Sequence, residues 1–398
     1  MRKFVNTNRE GGQVAIISVM FFTILFSVIV VSFVQNVVAE QRQTTNNELS
    51  ASALTAAESG LEDAKRVLTY CALVPTMAGC DSVYDPTGNS CDAILNSGSL
   101  MTALNISVDS DKKATVNGRN KEYYSCMIIH YLTDNYTGSV EADGKSAIVP
   151  LKLATYASGS VASATTAAYF TVNWHNNSPS VNGAMSGLDN SIDLPTMQVW
   201  KSSGNRPAVL RIELVKVPVA GGFTLDTITD SARAVTLRPT TGSTSGGVAI
   251  TTGGASAYNL DNWAQTTEPN SAVNPVMYVN CSTSNAYACA ARFTLSGGSL
   301  DLATYNYYLR VQAVYSAADF QVTATGTSGQ TLYFNGIQPS VDVTGRAIDA
   351  YKRISSRLEA RSNNDDYNWW PEYALQSGNA ICKDMTIDSE SGADNCSY

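Results

Sequence analysis

Charge is scarce in this chain of 398 residues: Asp, Glu, Lys and Arg together make 15 % of it, against roughly a quarter in an ordinary soluble protein. Ser, Thr, Asn, Gly and Ala fill the gap, which is the composition of a secreted, β-rich surface protein. Histidine occurs twice, at His130 and His175. Neither has the neighbours that a catalytic triad or a zinc site requires, so each reads as an ordinary core or surface residue. There is no Walker loop, no Gly-x-Gly-x-x-Gly, no Gly-x-Ser-x-Gly elbow and no His-Glu-x-x-His. The common nucleotide-binding, hydrolase and metalloprotease signatures are therefore missing, and the expectation is a protein that is not an enzyme. A basic excess is missing too: the net charge is −8, which does not suggest tight, salt-sensitive binding of nucleic acid by the chain as a whole.

Cysteine is present in an even number, at Cys71, Cys80, Cys91, Cys126, Cys281, Cys289, Cys382 and Cys396, with no Cys-x-x-Cys pair. In an exported chain this reads as disulfides and not as metal ligands. Proximity favours Cys281 with Cys289 and Cys382 with Cys396, because short loops close readily, and leaves the first four cysteines to pair among themselves.

The N-terminus holds the longest uncharged stretch. No charged residue occurs from Gly11 to Ala39, and Val14 to Val34 is mostly Val, Ile, Phe, Leu and Met. As a helix, that core spans about 31 Å, close to the roughly 30 Å of a bilayer interior. It exceeds the apolar core of a cleaved secretory signal, about 7 to 15 residues. Arg2, Lys3 and Arg9 precede it and the mixed Glu40, Arg42 and Glu48 follow, so the positive-inside rule puts the N-terminus in the cytoplasm and the remainder outside. Helical spacing continues without a breaker to Pro75. Leu49, Ala53, Ala56, Ala57, Leu61, Ala64 and Leu68 mark one narrow, Ala-rich face, while Glu48, Ser52, Thr55, Ser59, Glu62, Asp63 and Arg66 take the other. One helix over 13–68 is expected, with a transmembrane half over 14–39. Amphipathicity alone says only that one face is buried, and a mere stalk is the lesser alternative.

Two strings carry a family resemblance. Arg9-Glu10-Gly11-Gly12-Gln13-Val14-Ala15-Ile16-Ile17 resembles a class III prepilin leader, a short basic segment ending in Gly ahead of an apolar helix. Ala56-Ala57-Glu58-Ser59-Gly60-Leu61 is similar to the Ala-Ala-Glu-x-Gly-Leu signature of type IV minor pilins of the PilX type and related large pseudopilins. The resemblance implies a leader over 1–12 cut between Gly12 and Gln13 by a prepilin peptidase, and a mature helix that sits in membrane lipid before it packs among other pilins. It also implies an inner-membrane assembly platform as a partner and a cell-surface filament as the destination. Ile17 stands at the fifth mature position, where most pilins carry Glu, and Gln13 stands where Phe or Met is usual. That departure, with a large head, points to a tip or initiating subunit and not to the repeating one.

The expected fold class is α+β: the long helix, then a large β-rich head over 69–398. Leu210, Ile212 and Leu214 alternate with Arg211 and Glu213, and Tyr307, Leu309, Val311 and Ala313 alternate with Tyr308, Arg310 and Gln312, as half-buried strands do. Further runs occur at Ala168 to Trp174, Met277 to Asn280, Arg292 to Leu295, Phe320 to Ala324 and Thr331 to Asn335. Gly221-Gly222, Gly297-Gly298 and Asn335-Gly336 read as turns. The Gly/Ser/Thr stretch over 240–257 reads as a mobile loop or a boundary between two lobes. Val341 to Ala347 followed by Tyr351 to Ile354 resembles the late strand-turn-strand segment of pilin-like heads, so Ile348 to Leu358 is read as strand although a helical template also fits.

Asp109, Asp111, Lys112 and Lys113 begin like a calcium loop, but lysine at the fifth position spoils it and a solvated loop is expected. In the tail, a Cys382 to Cys396 bond would close a loop bearing Asp384, Asp388, Glu390 and Asp394. Such oxygens suit Ca²⁺, but no ligand register is recognisable, so a plain acidic loop is the preferred reading and no cofactor is expected. Tyr367, Trp369, Trp370 and Tyr373 form an aromatic cluster, either a recognition surface or a satellite core. Two functions fit these features: a minor pilin whose head serves assembly, adhesion or uptake, and a single-pass anchored surface protein or adhesin that never polymerises.

Overall fold

Between Gln13 and Gly60 the sequence contains neither proline nor glycine, and a single helix forms across the whole stretch. The computed structural model describes residues 11–358 except 89, 117–118, 143–144, 158, 189–195, 203, 221–223, 225–230, 242–248, 252–256, 264–275 and 296. Helix α1 runs over Gly11–Leu73, 63 residues or about 95 Å of rod, a little longer at both ends than the periodicity alone marks. It stops where Pro75 forbids continuation, since the residue before a proline is driven out of the helical region. Its last bond is Val74 N–H to the Tyr70 carbonyl at 2.9 Å. The Tyr84 hydroxyl donates to the Cys71 carbonyl at 2.9 Å, which satisfies one acceptor that the helix end leaves open.

The described chain divides into two units, 11–133 with 338–358, and 134–337. The first contains α1, the short helices α2 (Asp81–Tyr84) and α3 (Gly98–Ala103), and a sheet. Its strands are β1 (Ala114–Val116), β2 (Arg119–Thr133), the second half of β18 (Thr331–Ala347) and β19 (Ala350–Arg357). β1 pairs antiparallel with β2, β2 neighbours β18, and β18 folds back on β19 from Ser340↔Arg357 to Ala347↔Ala350. The outer half of α1 lies on this sheet. Ala56, Ala64, Val67, Leu68 and Cys71 share one core with Tyr124, Met127, Ile129, Val341 and Val343. Residues 74–113 close that core from another side with Val83, Ile94, Leu95, Leu100, Met101 and Leu104. Disulfides Cys71–Cys80 and Cys91–Cys126 tie this connection to α1 and β2.

The second unit is β throughout apart from short helical turns. It contains β3 (Asn135–Val140), β4 (Ser146–Pro150), β5 (Leu153–Ala157), β6 (Ser160–Ser163), β7 (Thr166–Ala167), β8 (Tyr169–Asn176), β9 (Val209–Pro218), β10 (Arg233–Thr240) and β11 (Ala249–Thr251). It continues with β12 (Tyr258–Asn259), β13 (Val276–Asn280), β14 (Tyr287–Thr294), β15 (Leu300–Asp301), β16 (Tyr305–Val314), β17 (Ala318–Thr325) and the first half of β18. One sheet centres on β17, antiparallel to β8 on one side and to β3 on the other, with β8 leading on to β14. The other has the order β11-β13-β10-β9-β16-β4. Phe170, Val172 and Trp174 of β8, with Phe320 and Val322 of β17, share one core with Leu210 and Ile212 of β9 and Leu309 and Val311 of β16. This is a β-sandwich, and its alternating burial matches the period-two pattern of β9 and β16. Trp174 is fully buried, and its indole N–H donates to the Ala208 carbonyl at 2.9 Å. Cys281, just after β13, bonds to Cys289 in β14 and joins the two sheets.

Two expectations are corrected. Asn335-Gly336 is not a turn but lies inside the 17-residue β18. Buried residues fall at even positions up to Gly336 and at odd positions from Ile337, with Gly336 at φ 68. A glycine with positive φ at a phase change is a β-bulge, which looks like a turn signal in sequence. The stretch over 240–257 is not a lobe boundary, because it lies within the second unit. The unit boundaries fall at Thr133 to Asp134 and at Ile337 to Gln338.

Candidate functional site

The first unit offers one feature with a clear physical purpose: an apolar rod seated at one end and uncovered at the other. From Ile16 to Val34 the large apolar side chains of α1 are all exposed, Phe22 by 68 % and Phe26 by 68 %. This helix is long and apolar enough to cross a bilayer. Two of its hydroxyls are satisfied internally. The Thr23 hydroxyl donates to the Met20 carbonyl at 2.9 Å and the Ser27 hydroxyl to the Ile24 carbonyl at 2.7 Å, the arrangement that lipid requires.

Behind the apolar half comes the seat. Ala53, Ala56, Ala57, Gly60 and Ala64 are buried, so the face read from sequence is real, with Val67 and Cys71 added to it and Leu49 and Leu61 only partly covered. Small residues are needed here because backbone meets backbone. A Cβ on Gly345 of β18 would collide with the Ala53 carbonyl oxygen and the Ala57 amide nitrogen. A Cβ on Gly60 would lie 2.5 Å from Val343 Cγ1 and 2.9 Å from Tyr124 Cγ. The Ala-Ala-Glu-x-Gly-Leu string thus has a packing reason: Ala56, Ala57 and Gly60 face the sheet, while Glu58 faces solvent.

One polar network locks the seat. The Tyr124 hydroxyl, on a side chain 1 % exposed, donates to Asp63 Oδ2 at 2.8 Å. Asp63 Oδ1 pairs with Arg66 at 2.8 Å, and Arg66 also donates to the Leu104 carbonyl. Burial, then the Asp63 charge, pushes the Tyr124 phenol well above its ordinary range, so it keeps the proton it donates to Asp63 at any physiological pH. Tyr84, beside the end of α1, is pushed up to about 12, by burial first and then by Tyr131.

Of the residues singled out from sequence, Gly12 and Gln13 lie in the first turn of α1. Six cysteines form the three disulfides Cys71–Cys80, Cys91–Cys126 and Cys281–Cys289. Cys382, Cys396, the carboxylates Asp384, Asp388, Glu390 and Asp394, and the aromatic cluster from Tyr367 to Tyr373 lie outside the described residues. Asp109 folds on itself, its Oδ1 accepting from the Asp111 and Lys113 amides at 2.9 Å each. No group of His, Cys, Asp or Glu among the described residues is arranged to hold a metal. His130 Nδ1 lies 3.1 Å from the Asp85 carbonyl oxygen, and His175 is buried at the end of β8. What the sequence reading missed is Gly345. An isolated glycine inside an alternating strand is the known signal for close backbone approach, and Val341, Val343 and Ala347 provide that pattern. Set against protein-family models, curated proteins and solved structures, the chain matches none.

Proposed function

We propose that this chain is a minor subunit of a type IV pilus-like filament, held in the membrane by α1 before assembly and carrying its β-rich head outside the cell. The observation that carries this reading is the division of one unbroken helix into an uncovered apolar half and a seated half. A membrane anchor needs only the first. A subunit that must leave lipid and enter a helix bundle needs both, because the rod has to stay rigid while its surroundings change. The Ala56-Ala57-Glu58-Ser59-Gly60-Leu61 string and the Gly11-Gly12 leader support the same reading. The partners that follow are a prepilin peptidase, an inner-membrane assembly platform and other pilins along the apolar half of α1. Ile17, in place of the glutamate that would pair with a neighbouring amino terminus, favours a position at the tip or in initiation, where no such pair is needed.

Mass spectrometry of the native N-terminus tests this. The expected mature chain begins at Gln13, and replacing Gly12 with a bulky residue leaves the leader attached. A native chain that still begins at Met1 or Arg2 returns the reading to a single-pass anchored surface protein, which Ile17 also fits.

A further inference from the structure

The chain passes from the first unit to the second at Thr133 to Asp134 and returns at Ile337 to Gln338, so a pull on the sandwich enters the first unit through β2 and β18. Val343 meets α1 at Gly60, and Gly345 meets it between Ala53 and Ala57. β18 therefore runs antiparallel to α1, and Gln338 is the end remote from the apolar half of the helix. With that half held in lipid or among other helices and the sandwich drawn outward, α1 and β18 are pulled in opposite directions along their lengths. Such a load acts in shear. The contacts at Gly60, at Gly345 and between Tyr124 and Asp63 must then yield together and not one after another, which raises the barrier that governs forced opening.

If the seat slips, the chain between the end of α1 and β2 is drawn out. From Cys71 to Cys126 the backbone runs 55 residues, about 190 Å when fully extended. Two disulfides take most of this out of the load path. Cys71, in the last turn of α1, bonds to Cys80, and Cys91 bonds to Cys126 within β2, closing off nine and 35 positions. What remains is the link from Cys80 to Cys91, 11 residues or about 40 Å extended, with Cα–Cα distances of 5.4 and 4.3 Å across the two bonds. The bonds thus stand in series, and the covalent line from α1 to β2 is roughly a quarter as long as the backbone between the same points. At rest this link is stowed against both elements. The Tyr84 hydroxyl donates to the Cys71 carbonyl of α1 at 2.9 Å, His130 Nδ1 of β2 lies 3.1 Å from the Asp85 carbonyl oxygen, and Val83 is buried in the shared core.

We infer that Cys71–Cys80 and Cys91–Cys126 form a strap for tension: they limit how far α1 can be drawn from its seat and keep it near enough to return. Closing a loop over 11 residues in place of 55 raises the chance of re-encounter about tenfold. The source of the load rests on the anchored or filamentous reading above, whereas the strap depends on the first unit alone. The full chain in detergent micelles is stretched and relaxed in optical tweezers, with DNA handles on Asn47→p-azidophenylalanine and Asp134→p-azidophenylalanine, before and after dithiothreitol. On rupture the oxidised chain is expected to lengthen by about 145 Å less than the reduced one, and to reseat within a fixed pause about ten times as often. Cys71→Ser with Cys80→Ser should release about 25 Å of that difference, and Cys91→Ser with Cys126→Ser about 120 Å. Reduction of the already folded chain makes the same comparison where a variant does not fold. Equal lengthening in the two states, or equal return, overturns the inference. The N-terminal measurement is separate: a native chain that begins at Met1 removes the filament reading and leaves the strap standing, and a failed strap leaves processing at Gln13 untouched.

Discussion

Single residues in this chain are mostly unremarkable by type and become informative only by position. His175 is an ordinary histidine in the sequence, yet it is 6 % exposed, sits at φ 61, and its Nε2 has no hydrogen-bond partner among the described residues. Burial holds its pKa below the usual 6.5, with a backbone bond involving Gly183 and the charge of Asp319 acting the other way. The neutral form is thus the native one. An unfolded chain takes up the proton first, so the stability that depends on neutral His175 is complete above about pH 6.5 and is lost as pH falls below it. Unfolding midpoints at pH 7.5 and 5.5 should differ more for the natural chain than for His175→Asn, which tolerates the same backbone but does not titrate. Equal differences would mean that His175 carries no part of the acid sensitivity. Sequence gives no hint of this, because burial of a strand-end histidine depends on which loops fold over it. The bond from Tyr124 to Asp63 was hidden for the same reason, since its partners are 61 positions apart.

At the scale of elements the sequence was most legible where periodicity is long or strict. The helix needed only an uninterrupted run, and β9 and β16 needed only their alternation. The helix face was legible too, except that its tightest contact depends on a residue nearly three hundred positions away. Gly345→Ala tests that contact. The added methyl meets helix backbone, which has no rotamer to move, so we expect a loss of about 2 to 3 kcal/mol in thermal or denaturant unfolding. Gly98→Ala, with nothing within 4 Å of the new Cβ, is expected to change little. Equal effects would show that helix and strand are not in backbone contact. β18 was the least legible element. Its bulge at Gly336 uses the same dipeptide as a hairpin turn, and only pairing with β5 at Tyr333↔Ala154 and with β19 beyond Ser340 distinguishes the two.

The whole molecule differs in its connectivity from the expected head, read as one body or as two lobes meeting near 240–257. The sandwich over 134–337 enters between β2 and the second half of β18, which are neighbours in one sheet. Hydrophobic patterning is local, so it registers each strand but not which strands share a sheet. A composition shift was the only available clue to a boundary, and the Gly/Ser/Thr stretch over 240–257 supplied a misleading one. The segment 134–337 holds its own core and the Cys281–Cys289 bond, so it is expected to fold alone when made in an oxidising compartment, with β-type circular dichroism and one cooperative unfolding transition. A fragment without such a transition would show that the sandwich depends on the first unit. The connectivity also has a consequence in time. Gly345 leaves the ribosome roughly 290 residues after the helix residues it covers, about 15 to 60 s later at ordinary elongation rates. For that interval the part of the Ala and Gly stripe that Val343 and Gly345 cover stands open, although β2 and the Cys71–Cys80 and Cys91–Cys126 bonds, nine and 35 positions apart, can form earlier. The nascent chain therefore waits with that stretch of α1 uncovered, and any competing helix nearby has that long to occupy it before β18 arrives.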